Sequence, residues 1–367
     1  MALARILLTG FRNHRETALD SPARFNLLVG ENGAGKTNVL EAISLLAPGR
    51  GLRRAGLSEI AARDGDGSFA VSATLSLAGG TVTLGTGIGP ERTGSRPARR
   101  IVQVNGADAP ALRLAEWLSI GWLTPGMDRI FAEGPGARRR FLDRMALAVE
   151  PGHARQAARL EAALRERNRL LAGDANPDPA WLDGIEAQLA VAGAAVASAR
   201  AMLVARLDAA LAGLPDSPFA RPSLAYVPGG PIAADALAAA LREGRRRDRA
   251  AQRTLTGPHR DDLAVTMAAT GLPAGDCSTG EQKAMLVAIT LAHANLFGGL
   301  LNADLPRLLL LDEIAAHLDP LRREALFERL RAGPAQVWMT GTEAAPFSAI
   351  MGEAAVWRVS GGRAERL

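Results

Sequence analysis

The chain has 367 residues, 48% hydrophobic and 22% charged, which is enough for about two domains with a large core and excludes a disordered tail protein. Its single cysteine, Cys277, excludes a disulfide framework and a cysteine-rich zinc site and fits a reducing cytoplasm; it reads as a small buried residue. The net charge of +5, with a pI near 10.4, permits nucleic-acid binding without requiring it.

Of the 43 basic residues only Lys36 and Lys283 are lysines, a drift expected of GC-rich coding sequence that makes these two conspicuous. Met1–Gly10 carries Arg5 within a short apolar run and no cleavage-site pattern, so no secretory signal is expected. The longest apolar stretch, Met285–Leu301, is interrupted by His293 and Asn295 and reads as a buried helix rather than a membrane span.

In chain order, Ile6-Leu7-Leu8 and Phe25-Asn26-Leu27-Leu28-Val29 are runs of strand length, the second stopped by Gly30. A glycine-rich turn leads into a helical pattern through Lys36, Val39, Leu40, Ile43 and Leu46. Residues 69–75, 81–84 and 101–104 read as hairpin strands, separated by a glycine pair and a basic loop at Arg92–Arg100. The middle third is helical. Leu160, Leu164 and Leu171 precede the turn cluster at 173–179, and Ile185, Leu189, Val196, Leu203, Leu207 and Leu211 then form a long stripe, so the two make an antiparallel hairpin. Leu308–Leu311 and Gln336–Met339 are continuous apolar runs, as in the central strands of a covered sheet. The fold expected is one α/β domain built from both chain ends, 1–130 with 255–367, and a mostly helical lobe, 131–254, inserted between them.

Gly30-Glu31-Asn32-Gly33-Ala34-Gly35-Lys36-Thr37 matches G-x-x-x-x-G-K-[ST] after a strand and before a helix. Such a loop turns successive backbone N–H groups inward around phosphates, with the helix N-terminus adding positive potential. Lys36 is placed for the β- and γ-phosphates and Thr37 for Mg²⁺, so ATP or GTP binding is expected. Asp312-Glu313, closing the Leu308–Leu311 strand, supplies one carboxylate for Mg²⁺ and a second for the attacking water. Ser278-Thr279-Gly280-Glu281-Gln282-Lys283 opens the apolar helix, and alone it is a helix cap. Its place 34 residues before Asp312 is the order that defines the ATP-binding-cassette superfamily, where the signature of one subunit completes the nucleotide site of the other.

With these elements in place the chain resembles the RecF family of recombination-mediator ATPases, along its whole length. The likeness rests on Phe11-Arg12-Asn13, the phosphate loop, Gly49-Arg50 with Arg53, and Arg138-Arg139-Arg140-Phe141-Leu142-Asp143. It continues through Gly257-Pro258-His259-Arg260-Asp261-Asp262, the signature, Asp312-Glu313, Leu318-Asp319 and Gln336–Thr342. The resemblance implies an ABC-type head that is a monomer without nucleotide and dimerises on ATP, binds DNA at gaps or single-stranded/double-stranded junctions, hydrolyses ATP slowly, and works with RecO and RecR. By motif it implies that Ser278, with Gly280, faces the γ-phosphate held by the other subunit, that Asp319 lies at that interface, and that Thr340 belongs to a switch sensing the γ-phosphate.

One position departs from the pattern. Relatives carry glutamine or an acid after the proline of a stretch corresponding to Trp122-Leu123-Thr124-Pro125, and here Gly126 stands there, followed by Met127 and Asp128. Either Asp128 substitutes through a shifted loop or the metal shell has one protein contact fewer; the second predicts slower hydrolysis with ATP binding kept. The runs Arg138, Arg139, Arg140 and Arg245, Arg246, Arg247 are candidates for DNA phosphates, with a solvated helix face as the alternative. With 15 aromatic residues and little interleaving among the basic clusters, base stacking is not signalled. His259 reads as a structural turn histidine, and the five histidines show no metal-ligand spacing. A helical hairpin of about 60 residues is too short for the arms of chromosome-structuring relatives. A transporter's nucleotide-binding subunit is the alternative, and the 242 residues between Lys36 and Ser278 argue against it.

Overall fold

The computed structural model describes residues 2–90, 99–150, 152–173, 177–296, 305–315 and 318–367. Most of the basic loop at 92–98, the turn residues 174–176 and positions 297–301 lie outside the described residues. Two compact units emerge: Met1–Met127 with His293–Leu367, and Asp128–Ala292.

The first unit holds two six-stranded sheets. Strands β1 (Ala2–Phe11), β2 (His14–Asp20), β4 (Phe69–Leu77), β5 (Gly80–Ile88), β6 (Ile101–Val104) and β7 (Ala107–Asp108) form an antiparallel sheet in the order β2-β1-β4-β5-β6-β7. In β4 exposure alternates about buried Phe69, Val71, Ala73 and Leu75, the signature of a sheet with one packed face. The other sheet takes β3 (Phe25–Val29), β8 (Ser119–Leu123), β11 (Arg307–Leu311), β12 (Gln336–Gly341), β13 (Ala354–Ser360) and β14 (Arg363–Arg366), in the order β14-β13-β3-β12-β11-β8. Its neighbours from β13 through β3, β12 and β11 to β8 are parallel, and every residue of β3, β11 and β12 is buried, which explains their unbroken apolar runs. The main core cluster joins both sheets to α1 (Lys36–Ser44) and includes the stacked pair Trp338–Trp357, 5.5 Å apart. The short α2 (Leu57–Ile60) and α9 (Pro320–Ala332) complete the unit's α-helices among the described residues.

The second unit is mostly helical: α3 (Pro135–Val149), α4 (His153–Ala172), α5 (Pro179–Ala212), α6 (Ala234–Glu243), α7 (Arg245–Ala250) and, as far as Ala292, α8 (Thr279–Leu296). Leu160 and Ala163 of α4 pack with Ile185, Leu189 and Val196 of α5 and with Leu237 and Leu241 of α6. Arg167, late in α4, meets Glu186, early in α5, as the antiparallel hairpin requires. By length and composition α5 passes as a membrane span, yet its stripe of buried residues includes Glu186 and Arg200, both ion-paired inside the unit, so it is a core helix.

The boundary expected at 254/255 falls inside this second unit. Strand β10 (Asp262–Met267) pairs antiparallel with β9 (Pro222–Val227), which draws residues 255–292 toward the helical side and moves the break to 292/293.

Candidate functional site

The parallel sheet of the first unit brings the carboxyl ends of three strands together, where ligands of open α/β sheets bind. Val29 of β3 runs into Gly30, Leu311 of β11 into Asp312-Glu313, and β12 closes with Thr340-Gly341, paired with Leu28 and Val29. Glycine is required at two positions of the first of these turns. Gly35 adopts φ +113°, and a β-carbon there would lie 2.6 Å from His14 Nε2 and 2.7 Å from Asn13 Oδ1; at Gly30 a β-carbon would stand 2.2 Å from the Val359 carbonyl.

Lys36 is almost wholly buried, and its Nζ donates to the carbonyls of Gly30 (2.7 Å) and Glu31 (2.9 Å), so the ammonium sits inside the loop. Burial lowers its pKa, against the pull of Glu313 and Asp312. Thr37 Oγ1 and Thr340 Oγ1 each donate to Asp312 Oδ1 at 2.9 Å, and the Glu313 N–H donates to Thr340 Oγ1 at 2.8 Å. Burial raises the Asp312 carboxyl above the ordinary carboxylate range, against the two threonine hydroxyls, and neighbouring Glu313 pushes the same way as burial. Glu313 itself is held at φ +54°, a left-handed conformation rare outside glycine and common at functional sites.

Sequence reasoning missed the shell behind this loop. Asn13 Nδ2 donates to the Ala34 carbonyl (2.9 Å), Asn38 Nδ2 to Asn13 Oδ1 (2.7 Å), and His14 Nε2 lies 3.1 Å from the Gly35 carbonyl. Arg12 grips fully buried Glu41 with two bonds, of 2.9 and 2.8 Å, while Arg53 reaches Glu41 and Asn38. The available signal was an acid, Glu41, on the buried face of α1 between Leu40 and Ala42. Beside Arg12 opens a cavity of about 740 Å³, lined also by Ser58, Glu59, Arg63 and Asp66.

Asp319, expected at an interface, caps α9 by accepting from the Arg322 N–H (2.9 Å) and is about half exposed. Gly126 stands in a short 3₁₀ turn, Pro125–Met127, and a β-carbon there would have only Thr124 Oγ1 near it, at 3.8 Å. Asp128, the possible substitute, belongs to the second unit, where its Oδ2 faces Lys283 Nζ at 3.4 Å.

In the second unit Ser278 and Glu281 form a reciprocal cap of α8. The Ser278 N–H and hydroxyl donate to Glu281 Oε2 (2.8 and 2.7 Å) and the Glu281 N–H returns to Ser278 Oγ (3.3 Å). Ser278, Thr279 and Gly280 are all exposed at that helix N-terminus. The arginine runs split. Arg138 is bound by both oxygens of Asp262 (2.8 Å each), Arg139 donates to the Asp261 carbonyl (2.7 Å), and Arg140 is exposed. Arg245 is ion-paired to Asp183 and Glu186, whereas Arg246 and Arg247 are exposed. The strings that carry the family likeness meet at Arg200, which pairs with Asp143 and with buried Asp261. His259 bonds the Thr254 carbonyl (2.9 Å), and Cys277 is buried.

The residues at the three strand ends fit a magnesium nucleotide. Their metal-facing groups are hard oxygens, Thr37 and Asp312, and no cluster of three or more metal-ligating His, Cys, Asp or Glu occurs among the described residues. That is the donor set of a cation held largely by phosphates and water.

Residues 2–356 match the model of the RecF/RecN/SMC N-terminal domain. The DNA replication and repair protein RecF of Mesorhizobium japonicum is 48% identical over 98% of this chain and 96% of its own length. That of Rhizobium leguminosarum bv. trifolii is 44% identical over 99% and 98%. Among solved structures, the recombination mediator protein RecF-ATP in the RecFOR pathway superposes with a TM-score of 0.85 at 21% identity, covering 100% of this chain and 97% of that one. The fold is thus that of RecF and SMC-type ABC ATPase heads, full-length likeness to RecF proteins disfavours the transporter reading, and the chain belongs to the RecF family.

Proposed function

We propose that this protein is an ATP-driven switch of DNA replication and repair, in which two copies close around ATP on DNA and hydrolysis releases them. The observation that carries the reading is the cluster Thr37–Asp312–Thr340–Glu313, drawn from three strand ends beside a buried Lys36. The main-chain N–H groups of Gly30, Glu31, Asn32, Gly33, Ala34 and Gly35 cradle the phosphates and Lys36 neutralises them. Thr37 and Asp312 hold Mg²⁺, which when bound neutralises charge developing on the phosphoryl oxygens. Glu313, fixed through its own N–H to Thr340, takes the proton of the attacking water on its carboxylate. The same Thr340 hydroxyl donates to the Asp312 carboxylate and accepts the Glu313 main-chain N–H, so displacement of either residue is felt by the other, and this is its switch role.

Ser278 and Gly280 of one copy complete the phosphate site of the other, with Asp319 at the seam. The protein is a cytoplasmic monomer without nucleotide and a slow, DNA-stimulated ATPase. It binds gapped or junction DNA, and RecO and RecR are its partners in loading recombinase. Binding energy rather than mechanical work drives such a switch, since a state is populated only through differential ligand affinity. The test is light-scattering mass of wild type and Glu313→Gln with Mg²⁺-ATP, with and without gapped duplex. A nucleotide-dependent dimer that persists longer in the variant is expected; a monomer throughout, with ATP bound, removes Ser278 from the site and overturns the switch.

A further inference from the structure

Resting on the reading of this protein as a DNA binder, the geometry points to one particular surface of the second unit, centred on Arg140, Arg247 and Arg260, as the site that grips the phosphate backbone of duplex DNA.

Several acids of the unit are spent on the arginines that build it. Asp143 and Asp261 neutralise Arg200, Asp262 neutralises Arg138, Asp183 and Glu186 neutralise Arg245, and Asp248 with Glu186 neutralises Arg167, which is fully buried. Among the described residues Arg140, Arg247 and Arg260 have no carboxylate partner, and all three are exposed. Each arginine run therefore divides into members that build the unit, Arg138 with Arg139 and Arg245, and members whose side chains are exposed, Arg140 and Arg246 with Arg247.

The uncompensated members converge through two glycine turns. A β-carbon on Gly136 would stand 3.3 Å from Arg140 Nη1 and 3.7 Å from Arg139 Nη2, so both guanidinia lie over the start of α3. Arg139 is tied to the Asp261 carbonyl, next in the chain to Arg260. A β-carbon at Gly229 would be 2.5 Å from Arg260 Cβ, and one at Gly230 would be 2.8 Å from Thr256 Cγ2. Thr256 Oγ1 in turn accepts from Arg247 Nη2 at 3.1 Å. The path Arg140–Arg139–Arg260–Gly229–Gly230–Thr256–Arg247 is thus continuous, floored by glycines that allow close approach, and Asp261 pins it from below by accepting the Gly229 N–H at 2.8 Å.

Forked guanidinium donors suit phosphate oxygens. The path offers no aromatic platform: Phe131, Phe141 and Phe219 are buried, and the Tyr226 hydroxyl is bound to Asp261. The recognition is therefore of backbone, not of splayed bases, and sequence-independent.

The experiment measures the dependence of DNA affinity on salt with ATP and Mg²⁺ held constant. It compares wild type, Arg140→Gln, the triple variant R140Q/R247Q/R260Q, and a charge-matched triple of exposed arginines, R159Q/R358Q/R363Q. Each lost phosphate contact removes about 0.9 from the slope of log affinity against log salt, so the single variant should lose about 0.9 and the triple about 2.7, while the control keeps the wild-type slope and all variants keep wild-type ATP affinity. A wild-type slope in both patch variants overturns this surface while leaving DNA binding intact. No duplex binding by the wild type overturns the DNA reading itself. Competition by polyglutamate as effective as that of duplex of equal charge would make the site one for acidic protein and also overturn the proposal. If the triple fails to fold, Arg140→Gln alone decides.

Discussion

Replacing Asp312 with asparagine should stabilise the nucleotide-free protein while destroying its Mg²⁺-dependent nucleotide response. Burial, more than any neighbour, raises the Asp312 pKa, so its ionised form is disfavoured in the folded state even though Thr340 and Thr37 donate to it. Asparagine keeps an oxygen for both hydroxyls, which sit 2.9 Å from Oδ1, and removes the charge. Relieving a functional site of such a group is worth about 0.5–2 kcal/mol. In a unit of about 200 residues that corresponds to a rise in Tm of roughly 2–4 °C per kcal/mol. The pH dependence fixes the sign. For an acid whose folded pKa is raised, stability is greatest below the unfolded value, about 3.9, and falls as pH rises through the folded value. Asp312→Asn lacks that loss, so its advantage should be full at neutral pH and vanish toward acid. Thermal unfolding across pH, with and without Mg²⁺-ATP, reads both effects. A wild type more stable than the variant at neutral pH without nucleotide would refute the reasoning.

Three further outcomes are expected. Gly35→Ala forces a side chain into φ +113° and against His14 and Asn13, and should cost at least about 1–3 kcal/mol in urea unfolding together with most of the ATP affinity. Arg167→Met strands buried Asp248 without its counter-charge and leaves Glu186 to Arg245 alone, and should destabilise the second unit by about 3–5 kcal/mol; a loss below about 1 kcal/mol in denaturant titration would show that Asp248 finds another partner. Gly126→Gln meets no obstacle nearer than Thr124 Oγ1 at 3.8 Å, and steady-state assays should show turnover raised several-fold with ATP affinity within about twofold; unchanged turnover would mean the metal shell does not lack this contact.

What the sequence made legible was what lies contiguous in it. The phosphate loop, the acid pair after Leu311 and the strand before Thr340 are strings whose local conformation follows from glycine placement and apolar runs. The order of those strings also carried the fold. What stayed hidden was pairing at a distance. Glu41 gave no hint that Arg12 and Arg53 would meet it, and Asp143 and Asp261 acquire meaning only when Arg200 of α5 stands between them. The arginine runs were misleading as units because neighbours on a helix point to different surroundings: Arg138 finds Asp262 and Arg140 finds water. The unit boundary was missed for a similar reason, since the pairing of β10 with β9 has no local signal beyond two short apolar stretches.

The order of strands in the parallel sheet also sets a timetable for synthesis. The antiparallel sheet uses only residues from the first 108, and the second unit is one uninterrupted segment, so each can form as it leaves the ribosome. Strand β3 cannot, because its neighbours β12 and β13 are made roughly 300 residues later. At about 5–20 residues per second that is a wait of roughly 15–60 s, with Phe25–Val29, wholly buried in the finished protein, exposed as an unpaired apolar strand. Gly30 finds its partner, the Gly341 carbonyl, only then, so the glycine-rich loop is not anchored to β12 until synthesis is nearly complete.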